Sequence, residues 1–261
     1  MAITAPYRGF AIVTGASSGI GREMARLLAH DGYSLLLVAR QRDALEALAA
    51  ELPTHADILV QDLSYPTSYR AILSLLDERA ITPTILINNA GFGAFDATLT
   101  QSHETIERMM TLNMVTLTQL SRAVAERMVN AGRGRILNVA STAAFQPCPY
   151  LNVYGATKAY VLHFSEGLSE ECRGTGVTVT ALCPGPTRTA FGVNAGLVED
   201  SPFDQYAMDA VDVARQGLAA MHQGKTVVVT GLLNRLVATF VSYLPRAWVR
   251  RIAARGLRKM R

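Results

Sequence analysis

The chain has 261 residues, of which 49% are hydrophobic and 18% charged. This composition supplies a large apolar core and excludes an intrinsically disordered protein. Cys148, Cys172 and Cys183 lack metal-ligand spacing and cannot all pair, so we expect a reducing compartment and no metal site. We expect a cytoplasmic protein, because residues 1–9 contain no secretory signal and the late apolar run Leu236–Leu244 is too short to span a bilayer.

Short aliphatic and β-branched runs alternate with helix-like stretches. The predicted strands are Phe10–Val13, Leu35–Ala39, Ile58–Val60, Thr84–Ile87, Arg135–Val139, Val177–Leu182 and Lys225–Val229. The predicted helices are Gly19–His30, Asp43–Glu51, Pro66–Arg79, His103–Asn130, Leu151–Arg173 and Ala207–His222. Apolar strands without alternation are typical of strands covered on both faces. The pattern predicts an α/β fold: one doubly wound Rossmann-type domain over residues 1–231, with a seven-stranded parallel sheet and helices on both faces.

The first predicted strand runs into a glycine-rich turn, and a helix follows directly. The turn reads Thr14-Gly15-Ala16-Ser17-Ser18-Gly19-Ile20-Gly21. Backbone N–H groups at such a turn can approach a pyrophosphate at the helix N-terminus, where the helix dipole favours anions. A tight strand-to-helix connection is the plainer interpretation. The position in the first βαβ unit favours a dinucleotide site.

The second predicted strand ends in Arg40, 19 residues after Gly21. Proteins that bind NAD usually place Asp or Glu about 20 residues after the glycines, to hold the ribose 2′-hydroxyl. Asp43 is the carboxylate nearby, and it is better placed as a helix N-cap. A guanidinium pairs with a 2′-phosphate, so Arg40 predicts NADP(H). The alternative is a solvated arginine at a strand end.

Three residues after the fifth predicted strand form a candidate catalytic group. Ser141 follows the strand, and Tyr154 and Lys158 stand at i and i+4 on one helix face. A tyrosine hydroxyl is a poor base at neutral pH, and a nearby ammonium lowers its pKa. Each residue alone also fits a plain structural role: a core aromatic, a surface lysine and a turn serine.

Together these motifs resemble the short-chain dehydrogenase/reductase family, in its NADP-dependent type. The resemblance rests on the glycine turn, Asn88-Asn89-Ala90-Gly91, Asn113, Ser141, Tyr154 with Lys158, and Pro184-Gly185-Pro186-Thr187-Arg188-Thr189, and it covers roughly residues 8–230. It implies an oxidoreductase that transfers hydride between nicotinamide and a carbonyl or alcohol. An idle NADPH-sensing regulator on the same fold is the alternative.

The resemblance also implies roles for individual residues. Asn113, Ser141, Tyr154 and Lys158 would be catalytic, and Lys158 would also hold the nicotinamide ribose. The cofactor contacts would be Gly15, Ser17, Ser18, Gly19, Ile20, Arg40, Asp62, Asn88, Ala90, Gly91, Tyr154, Lys158, Pro184, Gly185, Thr187 and Thr189. Asp62 would contact the adenine, and Thr187 and Thr189 the carboxamide.

Aromatic residues near these motifs predict an apolar substrate pocket. Its candidate walls are Phe92, Phe95, Phe145, Tyr150 and Phe191, with Pro186–Tyr206 as a lid. Some of these aromatics can instead pack in the core. The residues offer no charged anchor for a substrate, which is expected to be a small-molecule carbonyl or alcohol, and nucleic acid is not an expected partner.

The helix around Ala156–Leu168 is rich in small and apolar residues for an outer helix. Such a surface predicts association into a homodimer or homotetramer.

The segment 232–261 forms a basic C-terminal helical extension: ten basic residues and no acidic ones follow Asp212. Its apolar helical stripe and its arginines have two interpretations. The stripe packs on the domain or on a second subunit, or it binds an anionic membrane peripherally.

Overall fold

A computed structural model describes residues 8–196, 206–241 and 243–258. The strands in these ranges are β1 (Gly9–Thr14), β2 (Tyr33–Ala39), β3 (Ala56–Val60), β4 (Ile85–Asn88), β5 (Gly134–Val139), β6 (Val177–Cys183), β7 (Thr187–Arg188), β8 (Met208–Asp209) and β9 (Val227–Val229). The α-helices are α1 (Gly19–His30), α2 (Arg42–Glu51), α3 (Arg70–Glu78), α4 (His103–Met110), α5 (Leu117–Asn130), α6 (Asn152–Glu171), α7 (Phe191–Asn194), α8 (Ala210–His222), α9 (Leu232–Val241) and α10 (Arg246–Arg258).

Seven strands form one sheet in the order β3-β2-β1-β4-β5-β6-β9, and every neighbouring pair is parallel. This confirms the predicted doubly wound seven-stranded sheet. The strands β7 and β8 form a separate two-stranded sheet that was not predicted. Each has two residues, which is too short for a hydrophobic period to register.

The sheet is covered on both faces, as its apolar strands require. On one face, Leu28 of α1, Leu48 of α2 and Val213 of α8 pack into a common buried cluster. On the other face, Leu76 of α3 and Val124 of α5 join a second cluster. Because both faces exclude water, the polar groups available to a ligand lie at the edge where the strands end.

Two helices differ from their sequence predictions. The predicted helix His103–Asn130 is interrupted by a turn of π-helix at Thr111–Thr116, because the extra residue per turn leaves no mark on a hydrophobic pattern. The predicted helix Pro66–Arg79 begins only at Arg70. Thr67 has a φ of 64°, a left-handed conformation that cannot belong to an α-helix.

The extension after Gly231 folds into α9 and α10, as expected from the helical pattern of its sequence. Asn234 of α9 lies against Gly185, and its amide donates a hydrogen bond to the Thr230 carbonyl oxygen at 2.9 Å. Across the described ranges, we find no helix with the length and hydropathy needed to cross a bilayer. The division into units 1–231 and 232–261 stays a prediction.

Most apolar residues of α6 turn inward, and its exposed face carries a narrow stripe. Ala156, Tyr160, His163 and Gly167 are exposed at i, i+4, i+7 and i+11. Among the described atoms, none lies within 4 Å of a Cβ built on Gly167. The stripe therefore offers a surface that a second copy of the helix can approach closely.

We predict that the protein forms a two-fold symmetric dimer through this stripe and that Gly167→Arg dissociates it. The arginine has space in the monomer but blocks close approach of two helices across a two-fold axis. Light scattering at micromolar concentration measures the mass, and Gly167→Ala is the control that keeps the surface small. A monomeric wild type, or a dimer unchanged in Gly167→Arg, would contradict this assembly.

Candidate active site

One large cleft lies at the edge where the strands end. It has a volume of about 1490 Å³ and extends from the turn after β1 to α10. A pocket for one small ligand is typically about 300–1,000 Å³, so this cleft has room for two bound molecules. In open parallel sheets, ligands bind in this position, where the strand order reverses.

The glycine-rich turn forms one wall of the cleft. Gly15 has a φ of 66°, and a Cβ there would lie 2.9 Å from the Ala90 Cα. Gly19 has a φ of 55°, and its Cβ would lie 2.9 Å from the Thr189 Cγ2. Glycine at these positions lets the backbone of the turn come close to the neighbouring segments and to a ligand. The turn leads directly into the N-terminus of α1, which can hold a phosphate.

A charged group lies at the end of the cleft beside this turn. Arg40 is exposed at the end of β2, and Asp62 lines the same wall. Asp62 accepts a hydrogen bond from the Ser64 hydroxyl at 2.7 Å and one from Arg108 Nη2 at 2.8 Å. Partial burial raises the pKa of Asp62, but the Ser64 hydrogen bonds and the charges of Arg108 and Arg40 outweigh it and hold the pKa below its usual range. Asp62 is therefore a fixed anion.

Tyr154 lies in the middle of the cleft, at the start of α6. Its ring packs against Phe191 with a centroid distance of 5.3 Å. Burial raises the pKa of Tyr154 to about 12, and a hydrogen bond with the Ser141 hydroxyl offsets part of this rise. The net shift of the pKa of Tyr154 is therefore upward and not downward as expected, because burial is its largest cause. The tyrosine is therefore protonated at neutral pH and placed as a proton donor.

Lys158 lies one turn later on α6 and is buried. Its Nζ donates a hydrogen bond to the Val139 carbonyl oxygen at 2.7 Å and lies 5.7 Å from the centroid of the Tyr154 ring. Burial lowers the pKa of Lys158 to about 8. A small change in its surroundings can therefore change its charge near neutral pH.

The π-helical turn carries Asn113, which is buried between the loop after β4 and Thr157 of α6 and, although predicted to be catalytic, does not line the cleft. Asn113 Nδ2 donates to the Phe92 carbonyl oxygen at 3.0 Å, and its Oδ1 accepts from the Phe92 N–H at 3.2 Å. A Cβ on Gly91 would lie 3.1 Å from this Oδ1 and 3.4 Å from Lys158 Nζ. Asn113 therefore fixes the loop after β4 next to the lysine. Single π-helical turns inside α-helices are frequent at functional sites.

Most of the residues predicted to bind a cofactor line this one cleft. They are Gly15, Ser17, Ser18, Gly19, Ile20, Arg40, Asp62, Ala90, Gly91, Tyr154, Lys158, Pro184, Gly185, Thr187 and Thr189. Ser141, which was predicted to be catalytic, lines the same cleft. Asn88 is different. Its side-chain amide donates to Ser121 Oγ and to Asn138 Oδ1, both at 2.9 Å, in the buried core. The prediction for Asn88 can therefore hold only for its backbone.

The predicted aromatic pocket is only partly correct. Phe92 and Phe191 line the cleft. Phe145 packs instead against the buried cluster around Val161, and Tyr150 faces Phe95 with a centroid distance of 6.4 Å. A sequence pattern gives the proximity of an aromatic residue to a motif but not its direction. Of the predicted lid Pro186–Tyr206, residues 197–205 lie outside the described part of the chain.

Sequence reasoning missed one wall of the cleft. The wall comes from the C-terminal extension and consists of Val237, Phe240, Val241, Leu244, Val249, Ile252, Ala253, Gly256 and Leu257. The apolar helical stripe of the extension was the available signal, but it did not indicate which surface the stripe faces. Gln146 and Cys148 beside Tyr154 were missed as well. The described residues contain no cluster of His, Cys, Asp or Glu able to hold a metal ion.

Comparison with known proteins agrees with this geometry. The family profile described as short chain dehydrogenase matches residues 9–209. Very-long-chain 3-oxoacyl-CoA reductase-B of Danio rerio is 32% identical over 183 residues, which is 67% of this chain and 58% of that protein. The chain thus spans less than two thirds of this relative's length.

Two solved structures are similar over nearly the whole chain. A short-chain dehydrogenase from Sphingobium yanoikuyae in complex with NADPH has a TM-score of 0.80 and 35% identity, covering 92% of this chain and 97% of that one. The bulky-bulky ketone specific alcohol dehydrogenase from Comamonas testosteroni has a TM-score of 0.75 and 31% identity, covering 92% and 96%. With its fold, its cleft and the family match over residues 9–209, this chain belongs to the short-chain dehydrogenase family.

Proposed function

We propose that this protein is an NADP(H)-dependent oxidoreductase that interconverts an apolar carbonyl compound and its alcohol. The observation that carries the proposal is the position of Tyr154, whose hydroxyl is protonated and which lines the same cleft as Ser141, Lys158 and the glycine-rich turn. Phe92 and Phe191 give the substrate end of the cleft an apolar character. The names of the relatives, which include reductases and dehydrogenases, support this reaction class.

In the direction of reduction, Tyr154 donates its proton to the carbonyl oxygen. The Ser141 hydroxyl donates a hydrogen bond to the same oxygen and so polarises the carbonyl before the proton moves. When bound, NADPH supplies the hydride that the carbonyl carbon accepts. Lys158 stabilises the negative charge that develops on the tyrosine oxygen, and Asn113 holds the Gly91–Phe92 backbone beside Lys158.

The cleft fits a dinucleotide cofactor at its other end. A Cβ on Gly15 or Gly19 would enter the space between the turn and its neighbours, so the turn can take a close-lying pyrophosphate. Arg40 would hold a 2′-phosphate, and the fixed anion Asp62 would accept from an adenine amino group. Thr187 and Thr189 would face a nicotinamide carboxamide. The NADPH complex of the Sphingobium yanoikuyae relative supports the choice of NADP(H).

An idle NADPH-sensing regulator is the competing function. It would need the cofactor end of the cleft but not a proton donor at its centre. The buried group of Ser141, Tyr154 and Lys158 favours the enzyme, because burying a lysine lowers its pKa at a cost to stability and a sensor gains nothing from it. Measured turnover distinguishes the two.

We also propose peripheral contact with anionic lipid through the extension, on an otherwise cytoplasmic protein. Arg246, Arg250, Arg251 and Arg255 are exposed along α10, and Trp248 among them is 61% exposed. Arginines beside an exposed tryptophan are typical of a helix that lies in a membrane interface.

The proposed function makes a prediction about the choice of cofactor. Arg40→Asp should shift the preference from NADP(H) toward NAD(H) by about ten- to a hundredfold, because it removes a charge-assisted bond of about 1.5–3 kcal/mol and repels the 2′-phosphate. Titrations of both cofactors measure it. Arg42→Asp is the matched control, since Arg42 is exposed two residues later and pairs with Glu46. A wild type that prefers NAD(H) contradicts the assignment.

The second prediction concerns the catalytic pair. Tyr154→Phe should reduce kcat by more than about a thousandfold and leave the dissociation constant of NADPH nearly unchanged, because it removes the transferable proton alone. NADPH consumption with a panel of apolar ketones, and NADPH binding, measure the two effects. Tyr160→Phe on the exposed side of the same helix is the control.

Lys158→Met, the companion variant, should lose turnover and gain stability. At pH 7 and without cofactor, the free energy of unfolding of Lys158→Met should exceed that of the wild type by about 1–3 kcal/mol. Removing the buried lysine recovers the cost of its lowered pKa, at 1.36 kcal/mol per pKa unit, while loss of the hydrogen bond to Val139 offsets part of this gain. The pKa is about 8 in the folded state and 10.5 unfolded, so the wild type gains stability as pH rises through this window and the difference shrinks. For the catalytic pair as a whole, a normal kcat in the Tyr154→Phe variant would contradict the proposed role of Tyr154 as the proton donor.

The third prediction tests the membrane. The full chain should sediment with vesicles of phosphatidylcholine and phosphatidylglycerol at low salt and be released at high salt. Arg250→Glu with Arg251→Glu should weaken this binding at least about tenfold, because each cation near such a surface contributes about 1 kcal/mol. A pair of reversals at Arg42 and Arg122, which are exposed elsewhere, is the control. Equal sedimentation of both double variants would refute lipid contact through α10.

A further inference from the structure

The cleft continues from Tyr154 toward the two C-terminal helices without a break. The same cavity that contains Tyr154 and Phe191 is lined by Phe240 of α9 and by Val249 and Ile252 of α10. All nine residues that the extension contributes to the wall are apolar or glycine. A substrate held at Tyr154 can therefore extend an apolar part along this wall.

The side chains of α10 are divided between two environments. Val249, Ile252, Ala253, Gly256 and Leu257 line the cleft and follow the spacing i, i+3, i+4, i+7 and i+8 of a single helix face. Arg251 and Arg255 are exposed on the opposite side of the helix, and Arg246 and Arg250 are exposed at the edge of the strip. The helix therefore presents a continuous apolar strip to the cleft, about 12 Å long at 1.5 Å per residue.

This strip is accessible to a ligand. Phe240 and Ile252 line the cleft, yet they are 62% and 61% exposed. When an apolar group covers large apolar side chains that are open to solvent in a concave surface, their removal from water stabilises the complex. No acidic or basic side chain of the described extension lines this part of the cleft, so the strip matches a hydrocarbon and not a charged group.

The wall is held in a fixed position relative to the catalytic end. Asn234 of α9 packs against Gly185, in the segment that leads from β6 to Thr187 and Thr189. Its amide also bonds the carbonyl oxygen of Thr230, just before α9 begins. The family match ends at residue 209, so this wall belongs to the part of the chain beyond the shared segment.

We propose that α9 and α10 form a subsite for the alkyl tail of the carbonyl substrate, so that this enzyme selects substrates with a long aliphatic chain. The proposal rests on the carbonyl–alcohol chemistry proposed above. The reactive carbonyl lies at Ser141 and Tyr154, and the tail extends past Phe191 along Phe240, Val249 and Ile252.

The test measures the reduction of a series of 2-alkanones, from 2-butanone to 2-dodecanone, by the consumption of NADPH. Each methylene that reaches the wall should raise kcat/KM about fourfold. Ile252→Glu should abolish this rise, so that kcat/KM for 2-dodecanone falls to about the value for 2-butanone in the same variant. Trp248→Glu is the matched control: Trp248 is one turn earlier on α10 and equally exposed at 61%, but among the described residues it lies outside the cleft wall.

A binding measurement separates failure of this proposal from failure of the proposed function. Trp248 is the single tryptophan of the chain and adjoins the strip, so its fluorescence reports on ligands there. With NADPH present, the dissociation constants of 1-alkanols should fall about fourfold per methylene in the wild type and in Leu233→Glu, but not in Ile252→Glu. Leu233 is exposed one turn before Val237 on α9 and is not among the described residues that line the cleft.

The outcomes are distinct. If no ketone is reduced while alkanol binding keeps its dependence on chain length and loses it in Ile252→Glu, the proposed function fails and the subsite stands. If ketones are reduced with no dependence on chain length, or with the same dependence in Ile252→Glu and wild type, the subsite is refuted. Wild-type protein that binds no long alkanol also refutes it.

Discussion

The reversal of strand order between β1 and β4 is the constraint on which the site depends. The chain leaves β1 into α1 on one face of the sheet, and the helices that follow β4 and β5 cover the other face. The two loops diverge at the carboxyl ends of the strands and leave a crevice that no side chain of the sheet can fill. The glycine-rich turn, Ala90 and Gly91, and Ser141 all follow strands that end at this crevice. Their proximity is thus a consequence of topology.

A buried hydrogen-bond network fixes the distance between the strands and the helix that carries Tyr154. Asn138 of β5 accepts from Asn88 of β4, and its amide donates to Ser165 of α6 at 3.0 Å. Each member is buried and paired, so the network orients α6 on the sheet with little tolerance for displacement. Three residues after Asn138 comes Ser141, and the same helix carries Tyr154. The core thereby sets the position of Ser141 relative to Tyr154.

The site is costly to the fold at Lys158. An ammonium in an apolar interior is destabilised relative to water, which is why its pKa is lowered to about 8. Its hydrogen bond to the Val139 carbonyl oxygen recovers part of that cost. Similar burial keeps Tyr154 protonated. The two perturbed groups lie on one face of α6, and such clusters of perturbed pKa values are frequent at functional sites.

Residues at strand ends could be predicted from the sequence because topology alone places them. The cleft is lined by residues that follow strands, namely the glycine turn, Arg40, Asp62 and Ser141. It is also lined by Tyr154 and Lys158, whose spacing on one helix face could be read from the sequence. The direction of Phe145 and the burial of the Asn88 amide were not predictable, because each depends on which neighbours fill the space around a side chain. The raised pKa of Tyr154 was missed for a related reason: charge proximity can be read from i and i+4 spacing, but desolvation depends on the complete packing.

For the C-terminal extension too, the sequence does not indicate which surface the apolar side chains face. Its stripe of apolar residues predicts a helix with one apolar face, and a domain surface, a second subunit or a membrane all satisfy that pattern equally. What distinguishes them is the length of the connection after β9. Because α9 starts directly at Leu232, with Asn234 against Gly185, the first helix is held beside the crevice. The short turn at residues 243–245 then returns α10 across it. The apolar face of α10 therefore lines the cleft, while Arg251 and Arg255 on its opposite side are exposed to solvent. One helix can in this way contribute to a substrate wall on one face and present a basic surface on the other.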